Sequence, residues 1–421
     1  MDNRQKLIIN GGRRIEGEIT VQGAKNSVLP LLSACVLAHG ECILHNCPQL
    51  TDVDAACRIL SCLGCRCVRD GGTICVDASA VSGYEIPDDL MREMRSSVMF
   101  LGSVLGRTGR CRLSFPGGCE LGARPIDLHI SAMRQMGAVI TEEHGYILCS
   151  TEGRMHGARI MLSFPSVGAT ENIMLAAAVA DGVTEIHNAA GEPEIRDLAE
   201  FLNKCGAEIS GAGSSVIRIE GVERLHPAEH SVIPDRIAAG TYLCCAAATG
   251  GEVILSRCRT EDMTAFMNVL ESMGCRAYTY GEGKLYFSGK RRLTAPPMIR
   301  TMPYPGFPTD IQAPIMAVTT VAQGTSVFVE TIFDNRYRHV SELVRLGASI
   351  KAEGRVAVTE GVQSLTGAKL CAKELRGGAA LIVAALAAEG TSEIVGVNYI
   401  DRGYENIEKT LRQAGADIKR V

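Results

Sequence analysis

Long apolar runs, a basic excess and paired zinc-type cysteine motifs are all missing from this 421-residue chain. No stretch approaches the roughly 18 uninterrupted apolar residues that a membrane-spanning helix needs. The opening MDNRQKLIIN carries no apolar signal-peptide core, so the cytoplasm is the expected location. Lys plus Arg number 43 against 47 Asp plus Glu, and the net charge of −4 offers no basic field for a nucleic-acid backbone or an anionic membrane. Any anion bound here must be met by locally placed cations. The CxxC at Cys62 and Cys65 has no second pair at matching spacing, so no metal is expected. Most of the 17 cysteines should be reduced small hydrophobes in apolar runs such as Leu243, Cys244, Cys245, Ala246.

What the chain does have is a repeat. A glycine that follows a helical apolar run and precedes a strand-like alternation recurs as LGCRCV at Leu63, MGAVIT at Met136, CGAEIS at Cys205, MGCRAY at Met273, LGASIK at Leu346 and AGADIK at Ala414. The glycines are spaced by 73, 69, 68, 73 and 68 residues, so six copies of one unit fill the chain. In the first copy the pattern predicts a helix over Val28 to Ala38, a strand over Cys42 to Leu44, a second helix over Val53 to Leu63 and a hairpin turning at Asp70, Gly71, Gly72. A late copy reads the same way, with helices over Ile311 to Ala322 and Ser341 to Leu346. Six units divide most simply as three plus three, giving one lobe over 24–233 and another over 1–23 plus 234–421, with ligands expected in the cleft between them.

The starts of the first helices are unusual. They read GAKNS at Gly23, MRSSV at Met94, SVGAT at Ser166, DRIAAG at Asp235, PTDIQ at Pro308 and LRGGA at Leu375. A helix N-terminus exposes free N–H groups and a partial positive charge, so Lys25, Arg95 and Arg376 there oppose the dipole and call for an anion. A bound phosphate or carboxylate would supply it. Asp235 fits as an ordinary cap. Asp310, approached through the apolar, rigid Phe307 and Pro308, is a candidate general base. The Gly-rich segment FPGGCELGARPIDLH from Phe115 reads as a working lid with one thiol, Cys119, whose polar neighbours set it apart from an inert core cysteine. With an ordinary pKa near 8.5, such a thiol serves as acid or as nucleophile, and the sequence does not choose.

The motifs GAKN at Gly23, MRSS at Met94, PGGCELGARPIDLH at Pro116, PSVGAT at Pro165, EPEI at Glu192, PDRI at Pro234, FPTD at Phe307, NRYRHV at Asn335 and IDRGYE at Ile400 occur together over essentially the whole chain. In this the sequence resembles the UDP-N-acetylglucosamine enolpyruvyl transferases. The resemblance implies a two-lobed inside-out α/β barrel of six βαβαββ units with helices inside. It implies transfer of the enolpyruvyl group of phosphoenolpyruvate to the sugar 3-hydroxyl through a tetrahedral ketal, with loss of phosphate and no metal or organic cofactor. Substrates would be the only partners, in a cytoplasmic step of peptidoglycan synthesis.

Carried over by position, the resemblance makes Lys25, Asn26, Arg124, Arg336, Arg376 and Arg402 the phosphoenolpyruvate-binding set. Lys25 and Arg402 would also be catalytic. Asp310 would take the proton of the sugar hydroxyl, and Cys119 would protonate the methylene and carry a covalent adduct. The nucleotide sugar would lie along Arg95, Arg124, Pro125, Ile126, Asp127, Leu128, Ser166, Val167, Gly168, Asp310 and Ile332. Two residues depart from the pattern: Phe164 stands where some members carry a lysine, and Glu374 where an aspartate is expected. The rival readings are a shikimate-pathway enolpyruvyl transferase, and a UDP-sugar-binding paralogue without turnover.

Overall fold

The computed structural model describes residues 5–114, 126–289 and 292–421. The chain divides into two compact units, described separately below: residues 23–114 with 126–233, and 5–22 with 234–421.

The repeat is visible whole in its third copy. Strand Arg159–Met161 leads to helix Val167–Ala177, strand Val183–His187, helix Pro193–Lys204 and the hairpin Glu208–Ser210 with Val216–Glu220. The first strand lies parallel to the second, with Ile160 opposite Ile186, and the hairpin continues the sheet antiparallel. This is a βαβαββ unit. Its leading strand is the element that periodicity did not predict, because three residues are too few to show alternation. Each repeat has its own sheet, five of four strands and one of three among the described residues.

Three leading or closing strands arrive from elsewhere in the chain. Glu229–Ser231 pairs parallel with Glu41–His45 and completes the sheet of the first copy. Glu16–Thr20 pairs parallel with Glu252–Ser256 in the fourth, and Lys6–Asn10 joins Thr391–Val395 to Asp417–Arg420 in the sixth. These pairings explain why the first residues of the chain belong with its C-terminal half.

The glycines that set the period have one conformation. Gly64, Gly137, Gly206, Gly274, Gly347 and Gly415 all take φ between 88° and 100°, closing the second helix of each copy in a left-handed turn that a Cβ would strain.

First and second helices differ in kind. The first helices are buried nearly all round: ten of eleven residues in Lys25–Cys35 and eleven of thirteen in Leu375–Ala387. In the C-terminal unit Arg236–Thr249, Thr309–Thr319 and Leu375–Ala387 pack on one another as a central layer. Small residues permit the approach, since a Cβ on Gly240 would stand 2.6 Å from Ile311 Cδ1. In the other unit a Cβ on Gly102 would stand 2.3 Å from the Asn172 carbonyl oxygen. The second helices are amphipathic, as in Pro193–Lys204, which turns Ile195, Leu198, Phe201 and Leu202 inward. No helix among the described residues is long and apolar enough to cross a membrane.

Candidate active site

The first helices begin where the sequence placed their charges. Lys25 is the first residue of Lys25–Cys35, Arg95 opens the short 3-10 helix Arg95–Met99, Ser166 caps Val167–Ala177, Asp235 caps Arg236–Thr249, Asp310 lies in the first turn of Thr309–Thr319, and Arg376 in that of Leu375–Ala387. Two of the predicted helices, Val28 to Ala38 and Ile311 to Ala322, in fact start two or three residues earlier. Their charged residues are therefore helical and are fixed by the helix itself.

In the C-terminal unit, three predicted residues converge. Asp310 Oδ1 accepts from Arg336 Nη2 at 2.9 Å, and Oδ2 accepts from Arg376 Nη2 at 2.9 Å. The two guanidinium side chains are only 2% and 5% exposed, while the carboxylate keeps 27% of its surface in contact with solvent. Arg336 is further held by the Thr309 carbonyl at 2.9 Å, and Arg376 reaches the Tyr404 hydroxyl at 3.3 Å. That hydroxyl in turn meets Thr241 Oγ1 at 2.8 Å. Burial alone would loosen the Arg376 proton, but the Asp310 carboxylate, Tyr404 and Asp235 outweigh it and raise its pKa. Arg376 therefore stays charged, and both guanidiniums are aimed at one carboxylate.

Glutamates fix this geometry from behind. Glu374, the residue found in place of the expected aspartate, caps the Arg376 helix: Oε2 accepts from the Arg376 amide at 2.7 Å, and Oε1 from the Gly377 amide. The extra methylene still reaches both orphan N–H groups. Glu330, 1% exposed, accepts from the Thr309 hydroxyl at 2.9 Å and from the Ile332 and Phe333 amides at 2.8 and 3.1 Å. It ties the loop that carries Ile332 to the start of the Asp310 helix. His339 is buried beside Arg336, and burial followed by that cation pushes its pKa down to about 3, so the ring is neutral. Arg402 is partly buried in the turn after Val397–Ile400.

In the N-terminal unit, Lys25 Nζ contacts Asp52 Oδ2 at 2.6 Å, with side chains 11% and 3% exposed. The anion that a cation at this helix end calls for is thus a carboxylate of the protein, as Asp310 is for Arg376. Asn26 follows, partly buried. The nucleotide-side candidates sit on two helix starts that meet through His129. Ile126 precedes helix Asp127–Gln135, which includes Leu128, and a Cβ on Gly168 would lie 3.3 Å from His129 Cε1. His129 Nδ1 is 2.7 Å from Asn172 Nδ2, and burial lowers its pKa to about 4. The neutral ring therefore accepts from the amide. Ser166 Oγ accepts from the Ala169 amide at 3.4 Å, and Val167 begins the helix. Phe164 is 41% exposed just before it. In the C-terminal unit, Asp235 accepts from the Ile237 and Ala238 amides at 2.9 and 3.0 Å, which is the capping role expected of it. Cys119, Arg124 and Pro125 lie outside the described residues.

Asp52, Tyr404, Glu330 and His339 are the site-forming residues that sequence reasoning did not select. Asp52 and Glu330 had no signal beyond being acidic, and Tyr404 and His339 stood inside quoted motifs without a role.

A sequence profile described as EPSP synthase (3-phosphoshikimate 1-carboxyvinyltransferase) matches residues 9–411. A protein of Caldanaerobacter subterraneus subsp. tengcongensis named UDP-N-acetylglucosamine 1-carboxyvinyltransferase 2 is 52% identical over 416 residues, covering 99% of both chains. One from Symbiobacterium thermophilum, named UDP-N-acetylglucosamine 1-carboxyvinyltransferase 1, is 48% identical over 99% of this chain and 95% of its own. Among solved structures, the enolpyruvyl transferase NikO from Streptomyces tendae superposes with a TM-score of 0.89 at 25% identity, over 99% of each chain. EPSP synthase from Acinetobacter baumannii shares the fold at a TM-score of 0.76 and 19% identity, over 99% of this chain and 100% of its own. Full-length matches in sequence and in fold place this chain in the enolpyruvyl transferase family.

Proposed function

We propose that this enolpyruvyl transferase joins phosphoenolpyruvate to the 3-hydroxyl of UDP-N-acetylglucosamine and releases phosphate, a step of peptidoglycan synthesis. The observation that carries the chemistry is the Asp310 carboxylate gripped by two buried guanidiniums at 2.9 Å each. The sugar is assigned from the names of relatives up to 52% identical to this chain over its whole length.

Phosphoenolpyruvate brings a phosphate and a carboxylate, and addition to its double bond spreads further charge over the same groups. Arg336 and Arg376, with Lys25, Asn26, Arg124 and Arg402 from the sequence motifs, supply cations and donors for those oxygens. Asp310 has the partial solvent access a base needs and takes the proton of the attacking hydroxyl. Cys119 delivers the proton to the methylene carbon and holds a covalent adduct on a side path. Loss of a proton from the new methyl group together with phosphate from the ketal carbon then regenerates the double bond. Arg95, Arg124, Pro125, Ile126, Asp127, Leu128, Ser166, Val167, Gly168 and Ile332 are assigned to the nucleotide sugar, and the enzyme works in the cytoplasm.

Phosphate release from phosphoenolpyruvate, with UDP-N-acetylglucosamine or shikimate 3-phosphate as acceptor, tests the reading. Release with the nucleotide sugar alone is expected. Release only with the shikimate ester assigns the rival acceptor, and release with neither assigns a binding protein. Cys119→Asp should retain turnover where Cys119→Ser loses it, and the epoxide fosfomycin should alkylate the Cys119 thiol.

A further inference from the structure

Of the 16 cysteines described, most are sealed in the core. Cys35, Cys42 and Cys205 form a close group but are at most 1% exposed, and Cys111 faces Cys149 across paired strands with both buried. Oxidants do not reach such thiols. Cys57 and Cys67 differ, because both are partly exposed, and they stand near enough for each thiol to shift the pKa of the other.

The backbone fixes that meeting. Cys57 lies on helix Thr51–Cys62 and Cys67 on strand Arg66–Asp70, joined by the left-handed turn at Gly64 so that helix and strand run in opposite directions. An independent contact aligns their faces: Arg69 Nη1 donates to Asp54 Oδ1 at 3.0 Å. Asp54 and Cys57 are three apart and share a helix face, while Arg69 and Cys67 are two apart and share a strand face. Three helical residues rise about 4.5 Å and two strand residues about 6.6 Å, so the step that leads from Asp54 to Cys57 also leads from Arg69 to Cys67. Arg69 is itself anchored on the Cys47 carbonyl at 3.2 Å. The Cys57 thiol, and then the Arg69 charge, lower the Cys67 pKa, while that of Cys57 is raised. Of the two, Cys67 is the sulfur that gives up its proton more readily.

We propose that Cys57 and Cys67 are an oxidisable pair that a hydroperoxide converts to a disulfide strapping helix Thr51–Cys62 to the strand that follows it. The Cys67 thiolate attacks the peroxide O–O bond and becomes a sulfenic acid, and the leaving oxygen takes a proton to depart as water. The Cys57 thiol then attacks the Cys67 sulfur, forming the S–S bond and releasing a second water. Two thiols lose two electrons and two protons, and hydrogen peroxide is reduced to two waters. The strapped helix begins beside Asp52, the partner of Lys25, so the modification acts on an element that supports the site.

Peptide mass mapping of the full chain tests this. Trypsin cleaves after Arg58 and Arg66, so Cys57, the Cys62 and Cys65 pair, and Cys67 fall in three different peptides. After stoichiometric hydrogen peroxide and alkylation of remaining thiols, the Cys57 and Cys67 peptides should appear joined, lighter by two hydrogens, and separate on reduction. In Cys57→Ser, Cys67 should stop at a sulfenic acid that dimedone traps, and in Cys67→Ser, Cys57 should stay reduced. Cys57 and Cys67 both alkylated while the exposed Cys62 is oxidised would overturn the proposal. So would equal oxidation of Cys57 with and without Cys67.

Discussion

Replacing Asp310 by Asn tests the charge balance of the candidate site in one step. The amide keeps the shape of the carboxylate but offers one accepting oxygen, and it turns an NH2 group toward the second guanidinium. Arg336 or Arg376 is then left facing a donor, with side chains 2% and 5% exposed. Breaking a buried pair by removing one partner costs about 3 to 5 kcal/mol. The 27% exposure of Asp310 argues for the lower end, about 3 kcal/mol. For a unit of this size that corresponds to a fall in Tm of about 6 to 12 °C. Inorganic phosphate should then rescue the variant more than the parent. In Asp310→Asn it supplies the missing negative charge, whereas in the parent it must displace a tethered carboxylate. At ten times its Kd, phosphate contributes about 1.4 kcal/mol, recovering about 3 to 5 °C. Scanning calorimetry of both proteins with and without phosphate reads all four values. Turnover should fall by about 10² to 10⁴ through loss of the base. A variant that melts with the parent, or equal phosphate shifts in the two, would refute the reasoning that Asp310 neutralises this pair of cations.

Two further outcomes follow from the same packing. Glu374→Ala should cost about 1 to 2 kcal/mol in urea unfolding, because the Arg376 and Gly377 amides lose their cap. Glu374→Asp should stay close to the parent, since aspartate is a standard cap, and a large loss in Glu374→Asp would contradict the capping role. Acid stability should depend on His129 and His339, whose folded pKa values of about 4 and about 3 lie below the ordinary 6.5. The unfolded chain binds their protons first as pH falls, so the stability they contribute is intact above about pH 6.5 and is lost toward each folded value. The slope is about 1.4 kcal/mol per pH unit for each ring. Buried Glu171, whose pKa is raised by burial and by Glu194 and Glu192, works in the opposite sense. Comparing each His→Gln variant with the parent isolates the ring, and an unchanged slope between pH 5 and 6.5 in both variants would show that neither histidine is held neutral.

Period and helix starts were legible because both are local. A glycine forced to positive φ at the end of a helix must recur wherever the unit recurs, and Gly64 through Gly415 do so. A charge in the first turn is read from its neighbours in sequence. Strand Glu229–Ser231, which closes a sheet begun almost two hundred residues earlier, has no local signature, nor do Lys6–Asn10 and Glu16–Thr20. The partners of the buried cations were invisible for the same reason. Lys25 and Arg376 announce a need for an anion, but the identity of the carboxylate that answers depends on which helix packs beside them. Arg336 and Arg338 show the same limit within one motif. Both are arginines of NRYRHV, one buried at 2% and the other exposed, and the irregular turn before helix Val340–Arg345 gives no period from which to choose.

That dependence bears on how the two cation sites compare. Lys25 and Arg376 open equivalent helices in different copies of the repeat, and each is met by a carboxylate from another element of its own unit. The carboxylates differ in solvation: Asp52 is 3% exposed and Asp310 is 27% exposed. A carboxylate with so little water around it has its oxygens committed to neighbours within the protein and works by holding a cation in place. One with a quarter of its surface in solvent has an approach for a second group, and that is the condition for accepting a proton. The repeat therefore supplies one electrostatic device twice, and solvation separates a positioning acid from a reacting one. Asp52→Asn should accordingly weaken phosphoenolpyruvate binding, raising KM with kcat less affected, while Asp310→Asn lowers kcat. Steady-state kinetics on the two variants distinguish these roles, and a kcat loss in Asp52→Asn as deep as that in Asp310→Asn would show that solvation does not divide them.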